Sequence, residues 1–212
     1  LSQAELVATR REGNAIFYRR ALPHTEQPGG RLHAALLDEV DNLALPGDVQ
    51  ARIGLVHRQR ATASQDFFAR VAEKFRAQQD LIAGLAQYRE SLLSLLDTLS
   101  FSRDATAVEV GPGDGGFLPE LARRFRHVTA LDNSPAMLEL ARQVCEREAL
   151  GNVELQLADA LNNVTVRADC VVLNMVLHHF AAPAEALKQL AHLVQPGGSL
   201  LVTELCSHDQ SW

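Results

Sequence analysis

The chain has 212 residues, 20 basic and 26 acidic side chains, and a formal net charge of −6. With 47% hydrophobic and 22% charged residues it has the material for a core, which excludes wholesale disorder. No run of about 18 apolar residues is present, so no membrane-spanning segment is expected. The length corresponds to about one and a half domains. The first residues read neither as a secretory signal nor as a basic tail. Cys145, Cys170 and Cys206 are too few and too scattered for a disulfide frame or a cysteine-type zinc site. No metal site is read, and a cytoplasmic location is the simplest expectation. Residues 1–100 are neutral overall, so the acidic half is 101–212. Such a half does not grip a phosphate backbone unaided, and any DNA contact is expected from the first segment.

In chain order, residues 5–21 read as a hairpin. Gly13 and Asn14 at its tip tolerate positive φ, and Ile16 to Arg19 alternate with a period of two. Arg10, Arg11, Arg19 and Arg20 suit phosphate contacts or an ordinary solvated surface. Pro23, Pro28, Gly29 and Gly30 mark a linker. Residues 31–45 have helical spacing, with Leu32, Leu36, Val40 and Leu43 on one face. Two further helices are expected at 48–61 and 65–78, and another at 79–99. Residues 31–100 therefore form a helical block, open between a lid and a dimer surface. Phe67, Phe68 and Phe75 read as helix core, with a closing role over a ligand as the other option.

From residue 105 the pattern becomes β-α alternation. Strands are expected at 105–110, 127–131, 153–157, 168–173 and 199–204, and helices near 115–125, 134–149 and 182–194. This predicts an α/β fold, a doubly wound and mainly parallel sheet with helices on both faces. Ligands then bind at the carboxyl ends of the strands.

The first strand runs into Glu109-Val110-Gly111-Pro112-Gly113-Asp114-Gly115-Gly116. Glycines at 111, 113 and 115 permit a tight turn and a close approach by a ligand. Asp132 lies 21 residues after Gly111 at the end of the second strand, where a carboxylate can accept from ribose hydroxyls. Asp159 follows the third strand and can accept from an exocyclic adenine amine. These three strand ends point to a nucleoside-containing cofactor. Glu109 and Asp114 would repel a pyrophosphate, and the glycine spacing is not that of a dinucleotide loop. They suit a ligand with an amino group and a sulfonium.

Residues 105–205 resemble the class I S-adenosylmethionine-dependent methyltransferase core, which is Rossmann-like. The segments that carry the resemblance are EVGPGDGG at 109–116, ALDNSPAML at 130–138, LADA at 157–160, NMVLHHF at 174–180 and VQPGGSLLV at 194–202. The resemblance implies that Glu109 holds the methionine amine, and that Gly111, Gly113 and Gly115 line the methionine and ribose. It gives Asp132 the ribose hydroxyls, and it places Asn133 and Met137 beside the adenine. Asp159 and the backbone N–H of Ala160 would bind the adenine, and Asn174 would face the methionine end by its backbone. No base is assigned. His178, His179 and Glu204 are acceptor-side candidates, each equally readable as a rim polar residue. The cysteines read as packing residues.

FFARVAEKF at 67–75, the glycine loop and ELCSHDQ at 204–210 resemble bacterial proteins that join an ArsR-type winged-helix regulator to such a domain, and ELVATRREGNAIFYRRA at 5–21 resembles the end of its recognition-helix region and its wing hairpin. On that resemblance residues 1–30 are a partial winged helix (its wing hairpin) and linker, 31–100 a connector, and 101–212 the methyltransferase core. Most of the winged helix and the last two of seven strands are expected to lie outside these residues, which leaves the fifth strand as an edge needing cover. Two functions are implied. One is a methyltransferase acting on a small-molecule acceptor, with S-adenosylhomocysteine as the cofactor product. The other is a regulator that senses S-adenosylmethionine or S-adenosylhomocysteine, binds DNA as the full-length chain and pairs as a homodimer through the helical block.

Overall fold

The computed structural model describes residues 1–13, 15–71, 84–162, 164–180 and 182–205. The chain divides into two compact units, Leu1–Ile53 and Gly54–Trp212.

In the first unit, β1 (Val7–Glu12) pairs antiparallel with β2 (Ala15–Arg20), from Val7 opposite Arg20 to Glu12 opposite Ala15. That register leaves a two-residue connection, and Gly13 supplies the positive φ of 58° that such a tight turn needs. The expected hairpin is therefore present. Arg10 lies over the Phe17 ring, and Arg20 is paired with Asp41 at 2.5 Å. Helix α1 (Gly30–Asp41) stops before the expected residue 45. The reason is local: Asn42 donates its side-chain amide to the Asp38 carbonyl at 3.0 Å and closes the last turn. Leu32, Leu36, Val40 and Leu43 are exposed on it and just beyond it.

Helix α2 runs without interruption from Gly47 to Val71, where two helices were expected. The segment Ala61-Thr62-Ala63-Ser64 holds neither glycine nor proline, so nothing breaks the ladder. An Asp48–Arg52 bond of 3.0 Å at spacing i,i+4 reinforces its start. Residues 72–78 of the expected second helix and Leu81 lie outside the described residues, as do the side chains of Phe67, Phe68 and Phe75. No described helix is long and apolar enough to cross a membrane.

The second unit is built on a five-stranded sheet. Its elements are α3 (Leu85–Thr98), β3 (Thr106–Val110), α4 (Leu118–Arg124), β4 (His127–Asp132), α5 (Pro135–Arg147), β5 (Val153–Leu157), β6 (Ala168–Asn174), α6 (Pro183–Leu190) and β7 (Val194–Thr203). The strand order is β5-β4-β3-β6-β7 and every pairing is parallel. The order reverses between β3 and β6, which opens a crevice at the carboxyl ends of those two strands. Helices cover both faces, as expected. One face packs Ala107, Val128, Val172 and Leu201 against α3, α4 and α5. The other packs Val108, Val171 and Leu173 against Leu190 and Leu193. β7 starts five residues earlier than expected. Between the Ala168–Val194 and Cys170–Ser199 pairs its chain loops outward through Gly197, whose φ is +83°.

Two devices fix the helices. Ser134 caps α5 by accepting the Met137 N–H, ahead of Pro135 in the first turn. Glu120 of α4 is 7% exposed and accepts from Arg89 of α3, from Arg123 at 3.0 Å and from Arg124 at 3.1 Å. Burial pushes its carboxyl upward, but the arginines, led by Arg89, outweigh that and hold it below the usual range. Cys170 is buried within β6 and its thiol is pushed up to about 12, while burial also raises Cys145, so both are packing residues. Cys206 lies outside the described residues.

Leu121 has no exposed surface and sits where α4 meets the sheet. Leu121→Ala is expected to cost about 2–5 kcal/mol in urea denaturation. A loss well under 1 kcal/mol would contradict this packing.

Candidate active site

Side chains alternate along a strand, so every second residue shares a face. On the face covered by α3, β3 carries Ala107 then Glu109, and β4 carries Ala130 then Asp132. On the same face β6 carries Val172 then Asn174, and β7 carries Leu201 then Thr203. An apolar surface thus ends in a polar row at the mouth of the crevice. A cavity of about 430 Å³ lies there, lined by Glu109, Asp132 and Asn174 among others.

Glu109 is 1% exposed. Asn174 Nδ2 donates to Glu109 Oε1 at 3.0 Å, and Thr203 Oγ1 donates to Asn174 Oδ1 at 3.2 Å. Among the described residues, Glu109 Oε2 is buried with no hydrogen-bond partner. Burial raises the Glu109 carboxyl to about 7; the Asn174 bond pulls it down and nearby Asp114 pushes it up. An orphaned carboxylate oxygen on a cavity wall calls for a cationic donor.

The glycine loop positions the backbone around this group. Gly111 has φ +66° and donates its N–H to Leu131 at 2.8 Å; a Cβ there would meet Val176 at 2.6 Å. Gly111 and Gly113 line the cavity, as does Asp114, whose Oδ1 accepts the Gly116 N–H at 3.1 Å. Gly115 corrects the expectation. It is absent from the cavity wall, and an added Cβ would lie 2.8 Å from the Ala141 backbone of α5. Its glycine serves helix packing, and Gly116 takes its place at the cavity.

Asp132 accepts the Ser134 N–H at 2.8 Å, and the N–H groups of Gly113 and Asn133 also favour its charge. Burial still dominates and raises it to about 6. Asn133, Met137, Asp159 and Ala160 all line the cavity. Asp159 is exposed and accepts from the Leu161 N–H at 3.0 Å and from Asn162 Nδ2 at 2.6 Å. Asn174 lies where expected, but its side chain, not only its backbone, is committed.

The acceptor-side candidates separate. His179 lines the cavity; His178 and Glu204 do not. His178 Nδ1 lies 2.9 Å from Glu204 Oε2, and its backbone N–H donates to Glu204 Oε1 at 3.1 Å. Burial pushes the Glu204 carboxyl up, and the bonds and charge of His178 bring it below its ordinary value. Glu204 is thus a partner of His178 rather than a cavity group. The two imidazoles lie 4.0 Å apart, and burial, then His178, lower His179 to about 4, so it is neutral at pH 7.

Sequence reasoning missed three residues. Tyr88 of α3 lines the cavity, and its hydroxyl is pushed up to about 12 by burial, then by Glu109 and Asp114. It therefore stays protonated, one helical turn before the buried Leu92. Met175 lines the cavity with φ +55°, a strained value for a non-glycine residue. Thr203 stands behind Asn174. Strand alternation alone could have found Thr203; nothing in the sequence flagged the other two. Among the described residues no cluster of three or more His, Cys, Asp or Glu is arranged to hold a metal.

Residues 108–202 match the family model described as a methyltransferase domain. An uncharacterised methyltransferase from Mycobacterium bovis is 36% identical over 111 residues, covering 51% of this chain and 55% of that one. Human EEF1A lysine methyltransferase 2 is 40% identical over 60 residues, covering 28% and 25%. Among solved structures, a phosphoethanolamine N-methyltransferase 1 from Haemonchus contortus, in complex with phosphoethanolamine and S-adenosylhomocysteine, aligns with a TM-score of 0.60. It is 19% identical and covers 72% of this chain and 34% of that one, a likeness of fold. The chain spans between a quarter and about half the length of these two curated relatives.

Glu109 makes the ligand-free stability depend on pH. Its folded value of about 7 stands above its ordinary 4.5, so the folded state holds the proton more tightly. That contribution is fully present below pH 4.5 and is lost as pH rises through 7, on the order of 3 kcal/mol at most. Glu109→Gln keeps an oxygen for Asn174 and carries no charge. Thermal denaturation should show little difference from wild type at pH 5 and a more stable variant at pH 8. An equal difference at both pH values would contradict the assignment.

Proposed function

We propose that this domain binds S-adenosylmethionine in the cavity and passes its methyl group to a small-molecule acceptor. The observation that carries the reading is the unpartnered Glu109 Oε2, buried at the carboxyl end of β3 beside a glycine loop. When bound, the cofactor supplies a methyl group already activated on a sulfonium. Glu109 offers Oε2 to the amino group while Asn174 keeps Oε1 engaged. Asp132 accepts from the ribose hydroxyls. Asn133 and Met137 flank the adenine, Asp159 accepts from its exocyclic amine, and Ala160 offers a backbone N–H. Gly111 and Gly113 let the ligand approach the backbone. His179 is the group we assign to the acceptor. It is neutral and faces the cavity, and its lowered basicity suits it to orient an acceptor through a hydrogen bond rather than to remove the acceptor's proton. Glu204 and His178 support it from behind.

A second reading keeps the ligand and makes its binding a signal. The exposed arginines of the β1–β2 hairpin favour it, because they suit a DNA backbone. In that reading the exposed apolar residues of α1 pair two chains. Its test is DNA binding by the full-length protein with and without S-adenosylhomocysteine; no change would count against it.

Asp132→Ala should weaken S-adenosylhomocysteine at least about tenfold in titration calorimetry, the loss of charge-assisted hydrogen bonds. Unchanged affinity would overturn the shared premise of both readings. Transfer of labelled methyl to a panel of thiols, phenols and amines tests the enzyme reading. His179→Ala should then lower transfer while leaving S-adenosylhomocysteine affinity unchanged. Intact binding with no transfer to any acceptor would favour the sensor.

A further inference from the structure

We infer that Thr203 is a positioning residue that aims Asn174 so that Glu109 can receive a ligand ammonium. The inference rests on the proposed reading of the site and adds the group that controls it.

An asparagine amide has one donating and one accepting end, and its neighbours decide which way it points. Asn174 has its donating end on Glu109 Oε1 at 3.0 Å and its accepting end on the Thr203 hydroxyl at 3.2 Å. Asn174 is 8% exposed, so an amide that loses one partner is not readily rescued by solvent. The Thr203 hydroxyl thus holds an amide whose other end occupies one carboxylate oxygen. The second oxygen, Oε2, is then left alone on the cavity wall. With Oε1 occupied, a primary ammonium has one defined place to dock.

The backbone of Thr203 is fixed independently of its side chain. It sits opposite Asn174 in the β6–β7 ladder, and its carbonyl accepts the Met175 N–H at 2.9 Å. Valine has nearly the shape of threonine, so Thr203→Val removes the hydroxyl and leaves the strand in place. The Asn174 oxygen is then orphaned and its amide is no longer held. Glu109 loses the donor that favours its charge, and its affinity for a cation falls. Groups facing the pair from other elements are Asp114 of the glycine loop, which disfavours added negative charge, and Tyr88 of α3, which stays protonated and uncharged. Neither replaces the lost donor to the carboxylate.

Two probes separate this role from a structural one. S-adenosylhomocysteine carries the amino group; 5′-methylthioadenosine lacks the whole amino-acid portion. Thr203→Val is expected to weaken S-adenosylhomocysteine about tenfold or more, the scale of losing a charge-assisted hydrogen bond. Its affinity for 5′-methylthioadenosine should stay within about twofold of wild type. Thr203→Ser, which keeps the hydroxyl, should bind both probes as the wild type does. The pH midpoint of S-adenosylhomocysteine affinity should move upward in the valine variant and return in the serine variant. Equal weakening of both probes, or no weakening of either, overturns the inference alone. A wild-type protein that binds neither probe overturns the reading of the site together with it.

Discussion

Glu109 brings a carboxylate into a sheet whose neighbouring positions are alanine, valine and leucine. Charge in such surroundings is costly unless it is paired. Asn174 compensates one oxygen, and nothing among the described residues compensates the other. The protein tolerates this because the group can hold a proton near neutral pH when no cation is present. The rest of the site follows from that half-satisfied carboxylate. Thr203 steadies its partner, Asp114 raises the cost of its charge, and Gly111 keeps the backbone beside it bare.

The fold makes this placement economical. Parallel strands end together at one side of the sheet, and the order reversal between β3 and β6 leaves a gap that no connecting segment crosses. Four strands contribute a polar residue to the row at that side, while the same face below it remains apolar core. Helix α3 uses both halves. Leu92 and Leu96 pack on the core, and Tyr88, one turn earlier, reaches the cavity. The buried Glu120 and its arginines join α3 to α4 and so hold Tyr88 in register with the sheet.

Much of this was legible in the sequence because its signals are local and periodic. The β-α alternation, the glycine loop and the acidic residues at strand ends each follow from spacing alone. The hairpin tip at Gly13 is of the same kind. Other features depend on three-dimensional neighbours. A glycine in a loop serves either a ligand or a packed helix, and only the proximity of Ala141 shows that Gly115 does the second. Adjacent histidines look equivalent in sequence. A short 3₁₀ turn over Leu177–His179 sends His178 to Glu204 and His179 to the cavity. Tyr88 falls within an apolar helical stripe, so its polar end went unseen. The continuity of α2 shows the opposite error, a helix end expected where no residue enforces one.

The central claim is that Glu109 Oε2 is kept for a ligand cation. A crystal structure of the protein with S-adenosylhomocysteine tests it most directly. The account predicts the ligand ammonium within about 3 Å of Glu109 Oε2, directly or through one water, with Asn174 Nδ2 still on Oε1. A bound ligand whose ammonium lies elsewhere, with Glu109 Oε2 still unpartnered, would contradict it.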